Sequence, residues 1–275
     1  MTATQIMIHA DIRHVELAEL TAARFASCIM DPPYSPRVHE RATSNGTNGA
    51  GPRERDLGFA CLDAATRAAV ARVAASCSRW GAVFSDIEGA HAWREALTGA
   101  GVEYIRAVPW VRWSQPQLSG DRPPSGCELV TLVHARSAKH WSGPGSLTAF
   151  DTRSLRGAEK YSCEKPLDLM LSLVSWFSDF GENVVDPCAG AGTTLRACAL
   201  LGRDAVGFDV SADAVARTRA RLASPLTAGE RERCERWIAY QAAWLEHEAP
   251  STTAGAARYA RALADTARIV RALGG

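Results

Sequence analysis

Val184-Val185-Asp186-Pro187-Cys188-Ala189-Gly190-Ala191-Gly192-Thr193-Thr194 leads from an apolar pair through an acid into a glycine turn and two threonines. Apolar residues closing on Asp186 read as the end of a strand. Gly190 and Gly192 let the backbone turn tightly and approach a ligand closely. Thr193 and Thr194 open a helix, whose free N–H groups and positive dipole end favour a carboxylate. Asp209 ends the next apolar run about twenty residues on, where an acid can accept from ribose hydroxyls. Asp186, Cys188, Ala189, Gly190, Gly192, Thr193, Thr194 and Asp209 thus form a candidate set for a nucleoside cofactor that carries a carboxylate. The turn is not a Gly-x-x-x-x-Gly-Lys-Ser/Thr phosphate loop, so ATP is disfavoured.

Outward from this turn, strand and helix patterns alternate. Gln5–Ala10, Phe25–Met30, Gly81–Ser85, Val102–Trp113, Glu128–Ala135, Asn183–Val185 and Ala205–Val210 read as strands. Val15–Ala23, Leu62–Ser76, Ala90–Ala100, Leu167–Asp179, Thr194–Leu201 and a segment capped by Ser211 read as helices, with Gly101 and Gly202 as stops. The alternation predicts an α/β fold, a Rossmann-like, doubly wound and mainly parallel sheet with helices on both faces. Ligands on such sheets bind at the carboxyl ends of strands, and Asp11, Asp31, Asp186 and Asp209 all sit at or near such ends. Residues 1–224 are expected to form the catalytic domain. Residues 225–275 read as a helical extension, Ala228–Glu248 and Ala254–Leu273, with packing or dimerisation as its default role. The polar stretch Ser35–Asp56 has no apolar periodicity, and a loop of that length is usually functional.

The 275 residues carry a net charge of +1, so overall charge announces no nucleic-acid partner. Basic residues do gather between His134 and Lys160, and a local patch can neutralise phosphates on a neutral protein. No run of about 18 apolar residues predicts a membrane span. The 8 cysteines are scattered without a Cys-x-x-Cys pair, which argues for a reducing cytoplasm and against a zinc site. His39, His134 and His140 share no ligand spacing, so no metal is expected.

Asp31-Pro32-Pro33-Tyr34 closes the apolar run Phe25–Met30. Pro-Pro breaks structure anywhere, and a plain turn is the bland explanation. The chemical one is specific. An exocyclic amino nitrogen on adenine or cytosine is a poor nucleophile, because its lone pair is delocalised into the ring. Asp31 and the Pro32 carbonyl can accept its N–H hydrogens and stabilise the electron-rich state that forms during reaction. Tyr34 offers a ring to stack on the base, which must leave the duplex to be reached.

Together these motifs resemble an S-adenosylmethionine-dependent amino-group DNA methyltransferase, in the permuted order that puts the catalytic motif first. Asp31–Tyr34 matches the catalytic motif, Asp186–Thr194 the cofactor loop and Gly207-Phe208-Asp209-Val210 the ribose-binding strand end. Cys163-Glu164-Lys165-Pro166-Leu167 resembles the Lys-Pro motif, which implies that Lys165 and Pro166 help bind the methionine part. Asp11 resembles the acid that contacts the cofactor adenine. Cys188 stands where the family usually has phenylalanine, and Tyr161 where a histidine often precedes the Lys-Pro motif. The resemblance spans roughly Ile6 to Leu222 and implies the class I methyltransferase fold, S-adenosylmethionine as cofactor, double-stranded DNA as substrate and a homodimer.

Asp rather than Ser at the first catalytic position favours adenine N6 over cytosine N4. The expectation is a cytoplasmic, site-specific DNA adenine-N6 methyltransferase. Its alternatives are a cytosine-N4 enzyme, an enzyme acting on RNA or on a protein amide, and a non-catalytic DNA-binding module on the same fold. Segments 35–57 and 135–160 are the candidate recognition elements. Arg37, Arg41, Arg136, Lys139 and Trp141 are the candidate DNA contacts, with Trp110 and Trp113 expected to pack instead.

Overall fold

A computed structural model of the protein describes residues 3–36, 43–44, 53–54, 60–113, 126–137, 141–144, 149–153, 163–247 and 252–274. Eight strands form one sheet: β1 (Gln5–His9), β2 (Ser27–Met30), β5 (Trp80–Ser85), β6 (Glu103–Trp113), β7 (Cys127–His134), β8 (Phe150–Arg153), β9 (Asn183–Asp186) and β10 (Asp204–Asp209). Their spatial order is β1-β10-β9-β2-β5-β7-β6-β8. Among the described strands of this sheet, β7 alone is antiparallel to its neighbours. The expected mainly parallel sheet is therefore present. Three short strands differ from the sequence expectation. β8 falls inside 135–160, and β3 (Thr43–Ser44) pairs with β4 (Arg53–Glu54) inside Ser35–Asp56.

Alternate strand residues face opposite layers, as a period of two requires. Cys28, Met30, Val83 and Val185 pack on one face with Leu20 of α1 (Leu17–Ala22), Val70 and Val73 of α2 (Ala64–Ser76), and Trp93 and Leu97 of α3 (Ala90–Gly99). Ile29, Ala82, Phe84 and Val184 pack on the other with α4 (Leu167–Phe177), α5 (Thr193–Leu201) and Val215 of α6 (Ala212–Ala223). The caps follow the chemistry in the sequence. Asp63 accepts from Thr66 N at 2.6 Å, and Ser211 accepts from Ala214 N at 3.3 Å.

Every residue of α4 is buried, because α7 (Ala228–His247) and α8 (Thr253–Gly274) cover the helical layer. Trp237 and Cys234 of α7 and Ile269 of α8 join the same core as α4 and α5. The two terminal helices thus pack back on the chain's own body. Asp168 of α4 is bound by Arg233 at 3.0 Å and Arg236 at 3.4 Å. Arg203, 1% exposed, makes a two-pronged pair with Asp265 of α8 at 2.6 and 2.8 Å and also donates to Leu201 O and Ser178 O.

Removing one partner of such a buried pair strands the other charge. Asp265→Ala is expected to destabilise the protein by about 3–5 kcal/mol. Asp213→Ala, which breaks an exposed pair with Arg217, should leave the melting curve almost unmoved. Equal, small shifts in both variants would show that the Arg203 pair does not hold α8 in place.

Candidate active site

The chain leaves β9 toward β10 on one side and leaves β2 toward β5 on the other, yet β9 and β2 are neighbours. Such a reversal opens a crevice at the carboxyl ends of the strands. Cys28 pairs with Val185, so Asp186 and, two residues further along, Asp31 emerge from neighbouring strands at the same end of the sheet. Gly207 pairs with Asp186 and His9 with Asp209, which brings Asp209 and Asp11 into the same row. The two motifs that are 155 residues apart in sequence therefore meet, as expected. Burial pushes the Cys188 thiol up, and the charges of Asp186, Asp209, Asp31 and Asp11 add to the effect, so one thiol senses all four carboxylates.

The glycine loop is held from several sides. Gly190 (φ 50) and Gly192 (φ 72) take left-handed conformations, and Gly192 caps α5. Gly190 N donates to Asp209 Oδ2 at 2.8 Å, while Asp209 Oδ1 accepts from Ser211 N at 2.8 Å. Asp209 thus anchors the loop that it was expected to complement, with lone pairs left for a ligand. Ala189 N donates to Phe208 O at 2.9 Å, and Thr218 Oγ1 donates to Gly190 O at 2.9 Å. Arg221 bridges to Ala191 O, Thr193 Oγ1 and Glu164 at 3.0, 3.0 and 2.9 Å, and binds Glu230 of α7 at 2.7 Å. Thr193 and Thr194 are buried at the start of α5.

Asp11 is engaged by Arg13, whose Nη2 lies 2.6 Å from Oδ2, and hydrogen bonding to Arg13 holds its carboxyl below the usual range. Asp186 differs. Buried and accepting from Cys188 N at 3.1 Å, its carboxyl is pushed up to about 7, chiefly by loss of water. Below its ordinary value of 3.8, folded and unfolded chains both keep the proton. Between 3.8 and about 7 only the unfolded chain ionises, so stability falls as pH rises, and above about 7 the full penalty remains. Asp186→Asn is expected to raise the melting temperature at pH 8 and to leave it unchanged near pH 4. An equal shift at both pH values would contradict this.

Lys165 has two partners that the sequence did not name. Its ammonium, 5% exposed, lies 2.6 Å from Asp31 Oδ2 and 3.4 Å from Glu128 Oε2. Adjacent residues diverge here: Lys165 reaches the catalytic motif, and Glu164 reaches Arg221 and the cofactor loop. Pro166 begins α4 as its N-cap. Tyr34 donates its hydroxyl to Glu128, and its carbonyl accepts from Leu62 N at 2.9 Å. Pro32 is buried, and Pro33 is half-buried. Ser35 donates through N and Oγ to Asp86, at the end of β5, at 3.2 and 2.6 Å.

Residues 130–219 match a family model described as DNA methylase, N6_N4_Mtase. The stretch runs from β7 through most of α6, takes in Lys165, the glycine loop and Asp209, and leaves out Asp31–Tyr34. No curated protein matches the chain in sequence. Solved structures do match in fold. The M1.HpyAVI–SAM complex is 18% identical with a TM-score of 0.59, over 79% of this chain and 100% of that one. PvuII DNA methyltransferase, described as cytosine-N4-specific, is 12% identical with a TM-score of 0.59, over 86% of this chain and 92% of that one. The fold is the class I methyltransferase type that the motif order implies.

Two candidate DNA contacts lie at the end of the sheet away from the crevice. β7 runs antiparallel, so its carboxyl end at His134 lies beside Trp80, where β5 begins, at the end of the sheet away from the crevice. Arg136 follows that end, and Ser137 donates to Ser78 O at 3.3 Å. The Trp141 ring, partly buried, packs against the core on Trp80, Phe177 and Trp176 and donates its N–H to Pro144 O at 2.9 Å. Arg37, Arg41 and Lys139 lie outside the described residues, as do His39, His140, Lys160 and Tyr161. Trp110 is buried as expected. Sequence reasoning missed Glu128, Arg112, Glu164, Thr218 and Arg221. The signal for Glu128 was a single carboxylate inside the apolar run Cys127–His134.

Proposed function

We propose that the protein transfers a methyl group from S-adenosylmethionine to adenine N6 in duplex DNA. The observation that carries this is the placement of Asp31, at the end of β2, beside the glycine loop at the end of β9. The residues present suit the cofactor. Four carboxylates gather where a cationic ligand would sit, Asp11 and Asp209 offer acceptors to hydroxyl and amino groups, and the α5 N-terminus offers its dipole to a carboxylate. Asp11, Asp186, Cys188, Ala189, Gly190, Gly192, Thr193, Thr194 and Asp209 would hold it.

S-Adenosylmethionine, when bound, supplies an electrophilic methyl carbon on sulfur. Asp31 and the Pro32 carbonyl accept the two amino N–H groups of a flipped-out base, and the ring of Tyr34 stacks on it. Asp31 and the Pro32 carbonyl would steady the nitrogen as it takes the methyl carbon and becomes cationic, the S–C bonding pair leaving with sulfur. One N–H proton then passes to the Asp31 carboxylate and on to solvent. Fixing nitrogen and methyl in line supplies much of the rate.

Cytosine N4 is the second reading, because PvuII DNA methyltransferase shares the fold and the same acceptors would serve its amino group. Segments 35–57 and 135–160 remain the proposed DNA-recognition elements, and a homodimer remains part of the proposal. The test is labelled methyl transfer to unmodified DNA, followed by digestion to nucleosides and mass analysis. N6-methyl-2′-deoxyadenosine would support the first reading, N4-methyl-2′-deoxycytidine the second, and no transfer would remove both.

A further inference from the structure

Among the described residues, Lys165 is buried between two carboxylates and three aromatic rings. Its Nζ lies 5.1 Å from the ring centre of Phe84, 5.3 Å from that of Tyr34 and 5.7 Å from that of Trp110. Taking an ammonium out of water is expensive, and it persists there only when its donors and charge are answered. Asp31 and Glu128 answer them at 2.6 and 3.4 Å. Burial alone would lower the Lys165 pKa, but the two carboxylates outweigh it and hold the pKa above its usual value. Glu128 is bound in turn by Arg112 at 2.7 Å and by the Tyr34 hydroxyl. Two acids and two bases make a closed, neutral cluster that grips both ends of Asp31–Tyr34.

We propose that Lys165 and Glu128 are positioning residues for the catalytic tetrapeptide, Lys165 by pinning one oxygen of Asp31 and Glu128 by holding both Lys165 and the Tyr34 hydroxyl. The inference rests on the methyl-transfer reading. With Oδ2 pinned, the carboxylate plane cannot rotate, so the rest of the acceptor set is presented in one direction. The same contact opposes the effect of burial, which favours protonated Asp31, a form with less acceptor capacity. The Tyr34 ring is fixed by its hydroxyl, so the stacking platform and the acceptor keep one spacing. A lysine serving the cofactor would act on affinity. A lysine serving Asp31 acts on turnover.

The test compares wild type, Lys165→Met, Lys165→Arg and Glu128→Gln in methyl transfer to DNA across pH, with S-adenosylmethionine dissociation constants measured alongside. Lys165→Met is expected to lower kcat at saturating cofactor by about 100-fold while cofactor affinity changes less than about threefold. The acid limb of kcat should move to higher pH by about one unit, because Asp31 loses its cationic partner. Glu128→Gln should move that limb to lower pH, because a like charge beside Asp31 is gone. Lys165→Arg should recover part of the turnover. If Lys165→Met does not fold, the limb shift in Glu128→Gln and the turnover of Lys165→Arg decide. Lost cofactor affinity with kcat retained, or an unmoved acid limb in Glu128→Gln, would overturn the assignment. Wild type inactive on every DNA would remove the methyl-transfer reading, and this inference with it. Wild type active beside an unaffected Lys165→Met would remove the inference alone.

Discussion

Asp31→Ala should lower the rate of methyl transfer by at least about 1,000-fold while leaving S-adenosylmethionine binding within about threefold of wild type. The size follows from the chemistry of the nucleophile. An aromatic amino nitrogen attacks only as its lone pair leaves the ring, and the nitrogen then needs acceptors for its N–H groups. Asp31 is the charged one of the two. The Pro32 carbonyl remains in the variant, so a residual rate should persist. Asp31→Asn keeps one neutral acceptor oxygen and should lie between the two. Both variants leave Lys165 with Glu128 at 3.4 Å as its carboxylate, so some stability will be lost. Melting curves must accompany the kinetics, and single-turnover rates at saturating cofactor separate chemistry from binding. Turnover of Asp31→Ala within tenfold of wild type would end the assignment of Asp31.

The strands and helices were legible because apolar runs, caps and glycine stops punctuate them. Ser211 and Gly202 mark their helix ends in the sequence as they do in the structure. β8 was not legible: Phe150-Asp151-Thr152-Arg153 has the polar character of an edge strand and no apolar alternation. The direction of β7 was not legible either. Val102–Trp113 and Glu128–Ala135 read as strands whichever way they run, and direction alone decides which end of the sheet receives Arg136 and Trp141. A basic segment can be seen in a sequence. The face on which it lies is set by topology.

The acids of the site were legible for a related reason. A carboxylate that closes an apolar run sits at a strand end, and parallel strands bring their ends together. The residues that hold those acids were hidden, since buried charge pairs join positions with no sequence relation. Glu128 meets Lys165 only because β7 is antiparallel, which returns the start of that strand to the crevice. Arg221 meets the glycine loop only because α6 packs behind it. Lys165 shows what resemblance leaves out: the motif located the residue, and the coordinates add Asp31 and Glu128 as its partners.

Gly192→Ala should weaken S-adenosylmethionine binding by at least about tenfold and destabilise the fold by about 2–4 kcal/mol. Two separate causes act there. At φ 72 and ψ 24 the residue occupies the left-handed region, where a side chain costs about 1–2 kcal/mol. A Cβ would also lie 2.4 Å from Thr218 Cγ2 and 2.7 Å from Thr218 Oγ1. Thr218 cannot retreat freely, because it is buried in α6 and its hydroxyl donates to Gly190 O at 2.9 Å. Relief must therefore come from the loop itself, which would pull Gly190 N away from Asp209. Gly181→Ala isolates the first cause, since it has φ 77 with nothing within 4 Å of a built Cβ. That variant should lose stability but not cofactor affinity. Thr218→Ala in the Gly192→Ala background removes the two shortest contacts and should restore part of the binding, a coupling that a double-mutant cycle reads directly. Calorimetry on wild type, Gly181→Ala, Gly192→Ala, Thr218→Ala and the double variant checks the set. A Gly192→Ala protein that binds S-adenosylmethionine as wild type does would show that this turn does not hold the cofactor.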